Sequence, residues 1–251
     1  MKSRFNHPPP NSKGEVNFEF SFAFQPIVDI HNREIISYEA LVRGPRGEPS
    51  ATVFAQVTQN NFLKFDEVCR RKAIYLASRL NIPSQLNLNL TASSIYEVDM
   101  SITATFHASI QSGIPIDNII FEVVESESLI DHRNLLQYLQ IIQDFGFKTA
   151  VDDFGAGHSG LKLIVQYQPN YIKLDRGLIR NIHHDYVRQS VFNGIAQICR
   201  RLHIDIIAEG VETASEYHWL QEAGVRFFQG YFFARPAFES LPDVSHRIFN
   251  L

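Results

Sequence analysis

The chain has only two cysteines, Cys69 and Cys199, and they lie far apart with no second Cys or His at metal-ligand spacing. They therefore read as ordinary reduced thiols, which fits a cytoplasmic protein. An excess of positive charge is also missing. A formal net charge of -4 leaves no broad basic surface, which argues against a duplex nucleic-acid binder but leaves room for a compact anion held through metals. Residues 1–14 are polar, carry Pro8-Pro9-Pro10 and lack the apolar segment of a signal peptide or membrane span, so we expect a flexible lead-in there and a single domain over 15–251. Internal repeats, low-complexity tracts and later linkers are absent as well.

Core-forming residues are abundant. With 45% hydrophobic residues and 20 Phe, the chain can bury a sizeable core. Strand-like apolar runs at 18–24, 35–41, 85–90, 119–123, 149–151, 171–174, 204–208 and 226–229 alternate with helical patterns at 65–80, 102–111, 129–145, 161–166, 185–202 and 214–223. This order predicts an α/β protein, a TIM-like (β/α)8 barrel, with a doubly wound open sheet as the competitor. Only a short turn around His31-Asn32 separates the first two strands, so the first strand is expected to be antiparallel.

The most informative segment runs from Lys148 to Gly157, where a short strand delivers two adjacent carboxylates, Asp152 and Asp153, into a turn eased by Gly155 and Gly157. Two acids this close repel unless a cation, a proton or solvent separates them. A polar residue also stands at or just past the end of nearly every other strand: Glu39, Asn89, Glu122, Lys173, Glu209 and Gln229. Each alone has an ordinary reading, Asn89 as a helix cap, Glu209 as a rim salt bridge and Lys173 as a snorkelling lysine. Together, in a barrel, they converge on one mouth. Ligands limited to Asp, Glu and Asn oxygens select hard cations, Mg2+ or Mn2+. The five acids Glu39, Glu122, Asp152, Asp153 and Glu209 balance only against Lys173 and two divalent ions. Such a pair, about 3.5–4 Å apart, lowers the pKa of water and stabilises charge on the attacking and leaving oxygens of a phosphodiester.

These residues lie in runs that resemble the EAL domain, a family of bacterial phosphodiesterases acting on cyclic di-GMP. The runs are Tyr38-Glu39-Ala40-Leu41-Val42-Arg43, Leu88-Asn89-Leu90, Phe121-Glu122-Val123-Val124-Glu125-Ser126, Val151-Asp152-Asp153-Phe154-Gly155, Ile172-Lys173-Leu174-Asp175, Ala208-Glu209-Gly210-Val211-Glu212 and 229–236. The resemblance implies hydrolysis of cyclic di-GMP to linear 5'-phosphoguanylyl-guanosine, which favours motility over biofilm formation. It implies one cation on Glu39, Asn89, Glu122 and Asp152, and a second on Asp152, Asp153 and Glu209. Lys173 would position the attacking water, and Gln229 would bond that water or a phosphate oxygen. Gln25, Leu41, Arg43 and Asp175 would join Gln229 in contacting substrate, although Asp175 has a structural reading too. Glu125 would couple the loop after the aspartate pair to a homodimer interface.

The chain also departs from the family pattern, which usually has Thr, Tyr and Ser where Ala156, His158 and Gly160 stand, and Thr at Val124. The ligands are intact; the departures bear on loop stability and on coupling to dimerisation. In motif detail the chain is most similar to EAL halves of flavin-binding blue-light sensors and to short stand-alone EAL proteins, so a sensor or regulatory partner is an open expectation. A kinase reading of Asp153-Phe154-Gly155 lacks its glycine-rich loop and His-Arg-Asp segment. An enolase-type barrel is permitted by the acids and Lys173 but not favoured by the ordered motifs. The main rival is a catalytically silent EAL-fold module that binds cyclic di-GMP or a protein partner.

Overall fold

The computed structural model describes residues 14–90, 98–124, 132–157, 160–245 and 248–250. Its strands are β1 Ser21–Asp29, β2 Glu34–Arg43, β3 Gln85–Leu90, β4 Ile119–Val124, β5 Lys148–Phe154, β6 Tyr171–Leu174, β7 Asp205–Ala208, β8 Phe227–Phe228 and β9 Ala237–Phe238. The helices are α1 Ser50–Phe54, α2 Phe62–Arg79, α3 Val98–Ser112, α4 His132–Asp144, α5 Gly160–Gln166, α6 Arg176–Ile179, α7 Tyr186–Leu202 and α8 Ala214–Glu222.

From β2 to β8 every neighbouring pair is parallel, as strand-helix-strand crossovers require. β1 closes the ring by pairing antiparallel with β2 on one side and with β8 on the other, giving an eight-stranded mixed barrel of TIM type. The antiparallel start follows from the four-residue link between Asp29 and Glu34, too short for a crossover.

The first strand is the largest departure from the sequence expectation: it runs to Asp29 rather than ending at residue 24. Pro26 hid this, because a proline inside a strand removes a donor. The barrel accommodates it by geometry. β1 pairs with β9 at Ala23 and Phe24 and with β8 at Val28 and Asp29, and Pro26 falls in the gap between those two patches. β9, α1 and α6 are elements that the sequence patterns did not indicate.

Most of the apolar core fills the space between the barrel and its helices, where Phe24, Ile74, Leu86, Phe121, Tyr138, Ile172 and Phe228 are almost entirely inaccessible. The phenylalanine-rich C-terminal stretch joins it. Phe228, Phe232 and Phe233 pack around Tyr217 at centroid separations of 5.2–5.6 Å. At the opposite end of the barrel from the mouth, buried Asp29 accepts from Arg226 Nε at 2.9 Å and Nη2 at 2.5 Å, tying β1 to β8.

Candidate active site

Inside the barrel a small cluster of Ile27, Ile120, Ala150, Tyr171, Ile207 and Phe227 forms an apolar floor. A strand turns every second side chain to the same face, so the next inward position toward the mouth lies two residues on. On β4 to β8 that step leads from Ile120 to Glu122, from Ala150 to Asp152, from Tyr171 to Lys173, from Ile207 to Glu209 and from Phe227 to Gln229. On antiparallel β1 it runs backwards, from Ile27 to Gln25. One pleat thus converts an apolar layer into a polar one.

Lys173 is the hub of the polar layer. Its buried Nζ lies 3.1 Å from Glu39 Oε2, 3.1 Å from Glu122 Oε2, 3.0 Å from Asp152 Oδ1 and 3.2 Å from Glu209 Oε2. Three N–H bonds cannot serve four carboxylates. Lys173 donates to Glu39 and Glu122, whereas the buried Asp152 Oδ1 and Glu209 Oε2 accept no hydrogen bond. Amides complete the ring. Asn89 Nδ2 donates to Glu39 Oε1 at 3.1 Å, Asn87 Nδ2 to Glu122 Oε1 at 2.7 Å, and Gln229 Nε2 to Glu39 Oε2 at 2.7 Å. Gln25 sits beside Gln229 and donates to the Ala234 carbonyl at 3.1 Å.

Crowding shifts these groups in opposite directions. Burial opposes the charge on Lys173, but Asp152, Glu122, Glu209 and Glu39 outweigh it and hold the ammonium well above its ordinary value. Burial together with the Glu39 charge pushes Glu122 well above the usual carboxylate range, against the pull of Lys173. Glu209 is raised by burial and by the Asp152 and Glu39 charges. Asp153 is raised by burial and by Asp152 and Asp175. Asp152 alone is lowered: burial opposes its charge, but the Lys173 ammonium, together with hydrogen bonding from Glu209, Lys173 and the Asp153 amide, outweighs it. Several acids held reluctant to ionise around one ammonium form a site that gains from further positive charge.

The donors fit hard divalent ions. Among the described residues, Asp152, Asp153 and Glu209 are the one group of three acidic, His or Cys side chains whose ligand atoms all lie within 4.8 Å of one another. Every donor is an oxygen, as Mg2+ and Mn2+ prefer. Asp153 reaches this cluster through a local break in the sheet: the β5–β6 register shifts between Val151 and Phe154, and Asp153 has φ of 52°. Gly155 continues the turn at φ of 97°, and a Cβ there would lie 2.2 Å from Leu178. This turn is why two adjacent acids, which would otherwise face opposite sides of a strand, meet at one point.

The profile of the EAL domain matches residues 15–236. The chain belongs to the EAL domain family. A stand-alone, versatile EAL protein from Vibrio cholerae O395, solved in its c-di-GMP bound form, is 44% identical and superposes with a TM-score of 0.90, over 93% of this chain and 99% of that one. Klebsiella pneumoniae BlrP1, solved as a manganese and cyclic di-GMP complex, is 33% identical with a TM-score of 0.86, over 94% of this chain and 60% of that one. Two curated Escherichia coli K12 relatives are each 30% identical: the blue light- and temperature-regulated antirepressor BluF, over 89% of this chain and 56% of its own, and the probable cyclic di-GMP phosphodiesterase PdeN, over 87% and 43%. The chain therefore spans about half the length of these curated relatives.

Within this EAL domain the expected residues divide into two groups. Glu39, Asn89, Glu122, Asp152, Asp153, Lys173, Glu209, Gln229 and Gln25 surround one point. Leu41 and Arg43 lie farther along β2, where Arg43 Nη1 donates to its neighbour's carbonyl, Val42 O, at 2.7 Å. Asp175 serves a structural purpose: its carboxylate caps α6 by accepting from Gly177 N at 2.7 Å. Glu125 and His158 lie outside the described residues. The sequence reading passed over two contributors. One is Asn87, whose signal was the alternation Gln85-Leu-Asn-Leu-Asn-Leu90, in which both asparagines must share a face. The other is Arg176, which donates to Gly210 O at 2.5 Å and to Glu212 at 2.7 Å, pinning the segment that follows Glu209.

Proposed function

We propose that this EAL domain hydrolyses cyclic di-GMP to linear 5'-phosphoguanylyl-guanosine with two divalent cations, Mg2+ or Mn2+. The observation that carries the reading is the donor shortage around Lys173, four buried or half-buried carboxylates on one ammonium with two oxygens left without a hydrogen bond. Glu39, Asn89, Glu122 and Asp152 would hold one ion, and Asp152, Asp153 and Glu209 the other. Bound there, the pair supplies positive charge that acidifies water and neutralises the phosphodiester.

The chain's own residues supply orientation. Lys173, locked between Glu39 and Glu122, holds a fixed charge where the attacking water and the phosphate meet. Gln229 directs its amide into the same space, and Gln25 backs it. The apolar floor closes the site from below. Oxygen from water bonds to phosphorus, the bond from phosphorus to O3' breaks, and O3' leaves with a proton. Arg43, Leu41 and Asp175 stand toward the rim, where the nucleotide would lie.

Two relatives support the substrate assignment: the Vibrio and Klebsiella proteins were solved with cyclic di-GMP, the latter with manganese. In this reading the protein lowers the messenger in the cytoplasm as a homodimer under a sensor or regulatory partner, and so favours motility over biofilm formation. Among the described residues no helix is long and apolar enough to cross a membrane. A second reading, a silent module that binds the messenger or a protein, draws on BluF, whose name records an antirepressor. Incubating purified protein with cyclic di-GMP and Mn2+ and chromatographing the nucleotides separates the two. Linear dinucleotide supports the enzyme, whereas bound but intact messenger supports the module.

A further inference from the structure

Asn87 is an amide buried beside the apolar floor of the barrel. It is fully buried, and in register it lies between Glu39 of the polar layer on β2 and Ile120 of the floor on β4. Burying an amide is costly unless its hydrogen bonds are made. Here only half of it is satisfied: Nδ2 donates to Glu122 Oε1 at 2.7 Å, while Oδ1 accepts no hydrogen bond. The single bond it makes is to a proposed cation ligand.

The arrangement is paired. β3 offers one amide to each glutamate: Asn89 holds Oε1 of Glu39 and Asn87 holds Oε1 of Glu122, while Lys173 takes the Oε2 atom of both. Asn89 is exposed at the mouth and can itself reach an ion, whereas Asn87 lies one pleat deeper and out of solvent. Its contribution is therefore orientation. A carboxylate with one oxygen fixed from below keeps the other turned into the cluster and loses little rotamer freedom when a cation arrives.

We propose that Asn87 is a positioning residue for the cation site, holding Glu122 in the orientation that presents its second oxygen to the ion. This rests on the two-cation reading above, and the test separates the two. Mn2+ affinity is measured by competition with a fluorescent chelator, alongside the melting temperature, in the wild type and in Asn87→Leu, which keeps the volume but removes the donor. The expected result is Mn2+ binding weakened by about 10–100-fold, with kcat reduced and KM for cyclic di-GMP within about twofold. Ser37→Ala is the control. Ser37 is equally buried, with an unpaired hydroxyl, but bonds no ligand, so Mn2+ affinity should not change. Where the leucine variant fails to fold, Asn87→Ala gives the same reading. Combined with Glu122→Ala, either substitution should weaken binding no further, because its partner is already gone.

Wild-type Mn2+ affinity in the Asn87 variants overturns the inference, even if they melt earlier, and makes Asn87 a packing residue. An equal further loss in the Glu122→Ala background overturns it too. Failure of the wild type to bind Mn2+ at all overturns the two-cation reading and this inference with it.

Discussion

The floor and the polar layer of the barrel are built on the same strands, one pleat apart, and obey opposite rules. Ile27, Ile120, Ala150, Tyr171, Ile207 and Phe227 ask nothing of their neighbours but contact, and they fill the lower barrel. Two residues away, Gln25, Glu122, Asp152, Lys173, Glu209 and Gln229 form a layer whose charges cannot all be satisfied from within. The contrast shows where the molecule's stability and its chemistry reside. Burial of the floor holds the strands in register, and that register gives the layer above an electrostatic arrangement it could not sustain alone.

Breaking the upper layer should have the largest effect on turnover, beyond the stability lost when buried carboxylates lose their ammonium. Lys173→Met keeps most of the side chain's length but removes the one ammonium in contact with four carboxylates. Hydrolysis should fall by at least about 10²–10³-fold, the usual cost of deleting a fixed charge-stabilising donor, while Mn2+ still binds. Steady-state rates and a Mn2+ titration on one preparation check both halves.

Breaking the floor should do the reverse. Ile27→Ala opens a cavity beneath the site and should cost about 2–5 kcal/mol, read by chemical denaturation. The folded fraction should hydrolyse cyclic di-GMP within a few-fold of the wild type. A loss of turnover matching that of Lys173→Met would mean that the two layers are not separable.

The smallest effect is expected at the barrel's closed end. Burial opposes ionisation of Asp29, but the hydrogen bond from Arg226, those from the Asn32 and His31 amides, and the Arg226 charge together hold its carboxyl below the ordinary value of 3.8. A depressed folded pKa stabilises the fold above the ordinary value and ceases to do so as pH falls through the folded one. Asp29→Asn should therefore cost about 1.5–3 kcal/mol at neutral pH and flatten the loss of stability below about pH 4. Denaturation midpoints at several pH values test this.

Much of this contrast was legible in the sequence. Their positions at or just past the ends of strands placed Glu122, Asp152 and Lys173 at one mouth, and the short link at His31-Asn32 announced an antiparallel first strand. What stayed hidden depends on tertiary context. The first strand's continuation past residue 24 stayed hidden because the sequence does not reveal that the missing N–H of Pro26 falls between two separate partners, β8 and β9. Asn87 read as one more strand residue, since its depth follows from the stagger of the barrel. Asp175 keeps both readings, and the cap it places on α6, which depends on the turn after β6, was not legible in the sequence. That Asp153 joins Asp152 instead of pointing away depends on its positive φ, which the neighbouring glycines suggest but do not fix.

The central claim is that the polar layer would hold two divalent cations, with Asp152 among the ligands of both. The most direct test is to count Mn2+ bound per chain at equilibrium, with cyclic di-GMP present, in the wild type and in Asp152→Asn. The account predicts two ions in the wild type and weakened binding of both in the variant. One ion or none in the wild type, or two at unchanged affinity in Asp152→Asn, would contradict it.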